Sequence, residues 1–158
     1  MYRLCGRTVG SLQSTDISCN LPRMSAPLQN TLKLRVRYPE VDAMGYLHHS
    51  RFLQYFELGR VELLRDMGVS YADLEKQGIY FVVTKAEVRY KLPARYDEEL
   101  TLLTKVVKQT HVRYDHAYEL RKGQLLLAEG ATTIACVDRS GQLIQIPDWL
   151  LKPAGFTT

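Results

Sequence analysis

Between residues 41 and 60 the chain reads "VDAMGYLHHSRFLQYFELGR", which places a carboxylate, Asp42, shortly before a glycine, Gly45, and a histidine, His49. Gly45 lets the loop that carries Asp42 bend tightly. His49 falls where helical spacing begins, so unpaired backbone N–H groups and the positive end of the helix dipole gather around it. An acid facing such a corner can do acyl chemistry. The N–H groups would stabilise the oxyanion of a carbonyl whose carbon the acid attacks, or toward which it directs water. A carboxylate is a weak nucleophile or base, so the leaving group decides. A thiol ionises near pH ~8.5, and its thiolate leaves without the general acid that an alkoxide or amine would demand. These residues therefore suit a thioester better than an ordinary ester or amide.

Each residue also has a plainer reading. An aspartate ahead of a helix is commonly a cap or turn residue. His48 and His49 are adjacent, so they are expected to point different ways and not to form the i, i+4 pair of a metal site; no metal is expected. His116 lies on the apolar face of its strand, the position of a satisfied core histidine. Glu57 flanks a buried helical stripe and either acts as a base or pairs with Arg60 or Arg89. The chain has no G-x-S-x-G elbow, GxGxxG turn or phosphate-binding P-loop, so serine hydrolase, dinucleotide and NTPase chemistries have no support.

The elements that must hold these residues follow from periodicity. "TLKLRVRYP" alternates Leu32, Leu34, Val36 and Tyr38 against basic residues, a half-buried strand stopped by Pro39. Phe52, Tyr55, Phe56, Gly59 and Leu63 then form one helical stripe, widened by Leu53 and Leu64, with Ser50 as N-cap and Gly68 as the stop. Gly59 inside that stripe predicts a helix pressed closely onto a sheet. A short helix follows between Ser70 and Gly78. The remainder reads as strands: "IYFVVTKAEVRYKLP", with Tyr80, Val82, Thr84, Ala86, Val88 and Tyr90 on one side, then "ELTLLTKVVKQ", "HVRYDHAYELR", "QLLLAEGATTIACVD" and "QLIQIP". One antiparallel sheet wrapping one helix, an α+β domain, is the natural packing.

With 158 residues, 46% hydrophobic and 24% charged, the chain is long enough for one self-sufficient core. A net charge of +4 with pI near 9.0 fits an anionic small ligand such as a phosphorylated carrier and is too weak to indicate nucleic acid. No apolar run is long enough to span a bilayer. The three cysteines, Cys5, Cys19 and Cys136, have no C-x-x-C spacing and suit a reducing, cytoplasmic setting. The first 23 residues, with Arg3, Arg7 and Arg23 and the single acid Asp16, are similar to an organellar transit peptide. They form no clear amphipathic arginine helix, so a disordered leader, or an early start codon with Met24 as initiator, is preferred. The domain plan is a leader over 1–27, the folded domain over 28–152 and a tail over 153–158.

The segment "RVRYPEVDAMGYLHHSRFLQYFELGR" resembles the hotdog-fold acyl-CoA thioesterases of the 4-hydroxybenzoyl-CoA thioesterase or YbgC-like branch, whose signature runs Y-x-D-x-D-x-x-G, then a histidine, aromatics and an E-x-[AG]-R ending. "VRYKLPARYDEELTLLTKV" is similar to the same family's second strand pair, and the likeness covers Leu32 to Ile146. The resemblance implies a long central helix wrapped by a curved antiparallel sheet. It also implies Asp42 as nucleophile or as base for water, the backbone N–H at His49 as the carbonyl's partner, and Gly45, Glu57 and Arg60 on the family's glycine, glutamate and arginine. Two positions depart from the pattern. Glu40 replaces the first acid with one methylene more, and Arg51 stands where the family has a small residue or Asn.

The function this implies is hydrolysis of an acyl-CoA or acyl-carrier-protein thioester to acid and thiol, with Asp42 and His49 catalytic. Tyr38, Gly45, Arg51, Glu57 and Thr84 are the candidate substrate contacts, Arg51 either meeting a carrier phosphate or only solvated. No cofactor is expected beyond coenzyme A as part of the substrate, and homodimers or homotetramers with sites at the dimer interface are implied. A non-catalytic acyl-CoA-binding hotdog module and an enoyl-thioester hydratase on the same scaffold are the alternatives.

Overall fold

A computed structural model describes residues 28–151. The leader and tail expected from sequence lie outside the described residues. Within them the order is β1 (Gln29–Arg35), α1 (His49–Asp66), α2 (Tyr71–Lys76), β2 (Tyr80–Tyr90), β3 (Glu99–Gln109), β4 (Arg113–Lys122) and β5 (Leu125–Val137). The strands form one antiparallel sheet in the order β1-β3-β4-β5-β2, with α1 across one face. This is the α+β hotdog architecture.

The expected helical stripe is the buried one: Phe52, Tyr55, Phe56, Gly59 and Leu63 all face the sheet. Of the two widening leucines, Leu64 packs against the core and Leu53 is exposed. Two glycines set how closely the layers approach. A Cβ on Gly59 of the helix would overlap Thr104 Oγ1 and stand 2.8 Å from Leu102 Cδ2 of β3. A Cβ on Gly130 of β5 would stand 2.6 Å from Phe56 Cζ, and Phe56 itself stacks on Tyr118 with centroids 4.4 Å apart. Helix and sheet thus interlock where each lacks a side chain.

Three sequence expectations change. Ser50 does not cap α1. His48, in extended conformation, takes that role through Nδ1, which accepts from Ser50 N at 3.4 Å and lies 2.8 Å from Ser50 Oγ. The single face expected for β2 breaks at a bulge between Val83 and Lys85. Phe81 packs inward before it and Val88 packs inward after it, so facing switches from odd to even positions across Thr84. The segment expected as a last strand, "QLIQIP", makes only one isolated bridge, Val137 to Leu143. β2 takes one side of β5 and β4 pairs with the other only as far as Ala135, so just the last residues of β5 are open to it, where Ile144 N donates to Cys136 O at 3.0 Å. Its Ile146 is instead buried in the core beneath the C-terminal half of α1.

Candidate active site

β1 ends at Arg35, and a single 3₁₀ turn over Tyr38–Glu40 redirects the chain. The next residues form a closed loop. Val41 bridges Leu47, Asp42 N donates to Tyr46 O at 2.8 Å, and Gly45 N donates to Asp42 O at 2.9 Å with Gly45 at φ +78°. The Asp42 side chain serves the same loop. Its Oδ1 accepts from Met44 N at 2.9 Å and Tyr46 N at 3.2 Å, while Oδ2 has no hydrogen-bond partner among the described residues. The turn role therefore engages only one of the two oxygens of this carboxylate. Leu47 N bonding Ala94 O at 2.8 Å, and Arg95 Cζ 4.6 Å above the Tyr46 ring, fasten the loop to the β2–β3 connection.

At the helix mouth, His48 N donates to Glu40 O at 2.9 Å, and Arg51 N donates to His48 O at 2.9 Å. The His49 N–H is left without an acceptor among the described residues, as expected for the first helical position. The Tyr90 hydroxyl, from the end of β2, donates to His49 O at 3.1 Å. The His48 and His49 rings do not point apart as their adjacency suggested. Their centroids are 4.0 Å apart, because His48 is extended while His49 is already helical. Among the described residues no three His, Cys, Asp or Glu side chains gather as metal ligands would.

Asp42 and His49 line one open cavity of about 360 Å³, walled by Phe52, Tyr90, Leu92 and Pro93. The other candidates lie around it or away from it. Gly45 shapes the loop without lining the cavity. Tyr38, turned outward by the 3₁₀ turn, is 75% exposed and packs edge-on against Tyr96. Arg51 is tied back to Gln54 Oε1 at 2.8 Å and Pro39 O at 3.4 Å. Glu57 lies roughly 12 Å further along the helix axis and is exposed, its Oε1 3.4 Å from Arg60 Nη2. Thr84 sits at the β2 bulge and donates to Thr133 O at 3.2 Å. His116 belongs to a separate cavity of about 30 Å³ under the far half of α1, shared with Arg60, Leu63 and Tyr114. It is buried as expected of a core histidine, yet its Nδ1 has no partner. Burial, then the neighbouring Arg60 charge, push its pKa down to about 4.

This arrangement can be set beside known proteins. The family model described as "Thioesterase-like superfamily" matches residues 36–153. The chain belongs to the thioesterase-like superfamily. Among relatives of this superfamily member, the putative acyl-CoA thioesterase YneP of Bacillus subtilis is 32% identical over 74% of this chain and 89% of its own length. The acyl-CoA thioesterase YbgC of Haemophilus influenzae is 33% identical over 66% of this chain and 78% of its own. The solved DHNA-CoA thioesterase of Staphylococcus aureus superposes with a TM-score of 0.73 at 32% identity, covering 77% of this chain and 85% of that one.

In this thioesterase-like chain the contacts of one site-region residue, singled out from sequence only for its extra methylene, escaped the sequence reading. Glu40 is 5% exposed, and its Oε2 accepts from the Tyr55 hydroxyl at 2.7 Å and from Arg37 N at 2.8 Å. Burial alone would raise the Glu40 carboxyl. The Tyr55 and Arg37 hydrogen bonds, with the Arg37 and Arg51 charges, more than offset that and hold it below its usual range. The available signal was Tyr55 itself, a buried-stripe tyrosine whose hydroxyl needs a partner.

Proposed function

We propose that this chain hydrolyses acyl-CoA thioesters to the free carboxylic acid and coenzyme A. The observation that carries the reading is the shared cavity: Asp42, whose Oδ2 has no hydrogen-bond partner among the described residues, and His49, whose N–H has no acceptor among them, both line it. A thioester carbonyl seated there accepts from His49 N–H, and the negative charge that develops on its oxygen meets the positive end of α1. Asp42 Oδ2 attacks the carbonyl carbon, or takes a proton from a water that does. The C–S bond breaks, coenzyme A leaves as thiolate and takes up a proton, and water supplies the oxygen of the released acid. The names of the YneP and YbgC relatives support the same substrate class.

The functional unit is a dimer paired along β2. Of the two sheet edges, β1 spans 7 residues and carries Lys33 and Arg35, charges of the kind that blunt an edge. β2 spans 11 residues with Val82 and Val83 exposed, and its last residue, Tyr90, walls the cavity. A partner along that edge would close the open side of the site. Cys136, buried and in no disulfide among the described residues, fits a reducing compartment, the cytoplasm.

The test is Asp42→Asn against a panel of aliphatic, aromatic and carrier-protein thioesters. The wild type should release thiol from at least one of them, and the variant should be slower by at least about two orders of magnitude. Equal rates would remove Asp42 from the chemistry. Tight acyl-CoA binding with no thiol release in the wild type would make the chain a binding module instead.

A further inference from the structure

The Asp42 loop closes on both sides of one residue that touches no part of the cavity. Glu40 joins three separate pieces of chain. Its carbonyl accepts from His48 N at 2.9 Å, its carboxylate accepts from the Tyr55 hydroxyl at 2.7 Å, and the same oxygen accepts from Arg37 N at 2.8 Å. A second oxygen lies 3.2 Å from Arg37 Nη2. Asp42 comes two residues after Glu40, and His49 one residue after His48. The Val41–Leu47 bridge lies between these points and fixes the loop's base.

We infer that Glu40 is a positioning residue: its buried tie to Tyr55 and Arg37 sets the separation between the Asp42 carboxylate and the His49 N–H. The inference rests on the thioesterase reading of that pair and goes beyond it, because neither Glu40 nor Tyr55 lines the cavity. Three features favour a positional role over general stability. The backbone and side chain of one residue grip opposite ends of the same loop. The carboxylate bonds α1 at Tyr55, two turns in from the mouth, where the helix is packed against the sheet and cannot yield. And the groups facing it, Tyr55, Arg37 and Arg51, are donors or cations, so it stays charged and acts as a fixed anchor. A reacting atom displaced by about 1 Å can cost on the order of 10²-fold in rate, so even a small release of this anchor would be visible.

Three variants separate the contributions. Glu40→Ala removes every side-chain tie; Tyr55→Phe removes only the helix bond and keeps the packing; Glu40→Gln keeps an acceptor for both donors. In steady-state hydrolysis of the best acyl-CoA substrate, well below each variant's melting temperature, Glu40→Ala should lose on the order of 10²-fold in kcat. Its KM should stay within a few-fold, because the cavity walls remain. Tyr55→Phe should fall in between, and Glu40→Gln should recover most of the wild-type kcat. Should Glu40→Ala not fold, Tyr55→Phe against Glu40→Gln carries the same comparison. Folded Glu40→Ala or Tyr55→Phe with wild-type kcat overturns the positioning role. A change in KM alone overturns it as well. Asp42→Asn is measured in parallel: if it is inactive while Glu40→Ala and Tyr55→Phe keep the wild-type kcat, only the positioning role fails. If it is fully active, the thioesterase site fails and the positioning role with it.

Discussion

Asparagine at position 42 is an unusually clean replacement because only one oxygen of Asp42 serves the loop. Asparagine's carbonyl oxygen can take over Oδ1 and keep the bonds from Met44 N and Tyr46 N, so the loop survives. The amide nitrogen in place of Oδ2 can neither attack a carbonyl nor accept a proton. Thiol release should therefore fall at least about a hundredfold with no change in the thermal unfolding curve, and a lowered melting temperature would mean that the loop had failed instead. At this scale the tight loop at Gly45 and the helix start at His49 were legible, because loop flexibility and helix-start geometry depend on residues close together in the chain. Glu40 was noticed, but its tie to Tyr55 was not legible, since that partner is 15 residues away. Tyr38, Glu57 and Thr84 looked equally eligible from spacing, but a 3₁₀ turn, a helix length and a bulge carry them out of the cavity.

The contact between α1 and the sheet depends on Gly59 and Gly130, and the two should respond unequally to a methyl group. Gly59→Ala gains helix propensity of about 1 kcal/mol but must move Thr104, which is fully buried. Gly130→Ala gains no such offset and strikes the Phe56 ring, itself held by Tyr118. Overpacking costs about 1–3 kcal/mol, so both variants should melt lower and Gly130→Ala lower by several degrees more; denaturant or thermal unfolding checks the order. β4 carries a second test. His116 has a folded pKa of about 4 against 6.5 when free, so the unfolded chain binds its proton first. Stability should fall as pH drops from about 6.5 toward about 4, by up to about 3 kcal/mol. His116→Phe, which also removes the unpartnered Nδ1, should flatten the stability profile in the upper part of that range, above the window where carboxylates begin to titrate. An unchanged slope would assign the acid sensitivity elsewhere. Helix faces and five of the six expected strands were readable here because their periods are local; "QLIQIP" alternates like a strand but forms only an isolated bridge. The β2 bulge was not readable, since an extra residue leaves no mark on composition.

For the molecule as a whole, the β2 edge, which pairs with no further strand among the described residues, and the half-open cavity beside it are the surfaces the proposed dimer would cover. Val82→Asp, at a position 42% exposed and turned away from α1, should cost the isolated fold little. It should shift the protein toward monomer in sedimentation analysis and lower turnover in proportion. A wild type that sediments as a monomer at assay concentrations would remove the edge from the functional unit. The hotdog arrangement itself was foreseeable from strand, long helix and meander. The edge available to a partner became visible only once strand order put β1 and β2 at opposite margins.

The spare residue at Thr84 also means that β2 has no constant inside and outside. Position 82 points away from α1 and position 86 toward it, although both are even-numbered and belong to one continuous strand. Anyone recolouring the outer surface of this strand must change parity midway, taking 82 from the first half and then 85, 87 and 89 from the second. A design that counts by twos straight through would plant its new side chains under the helix.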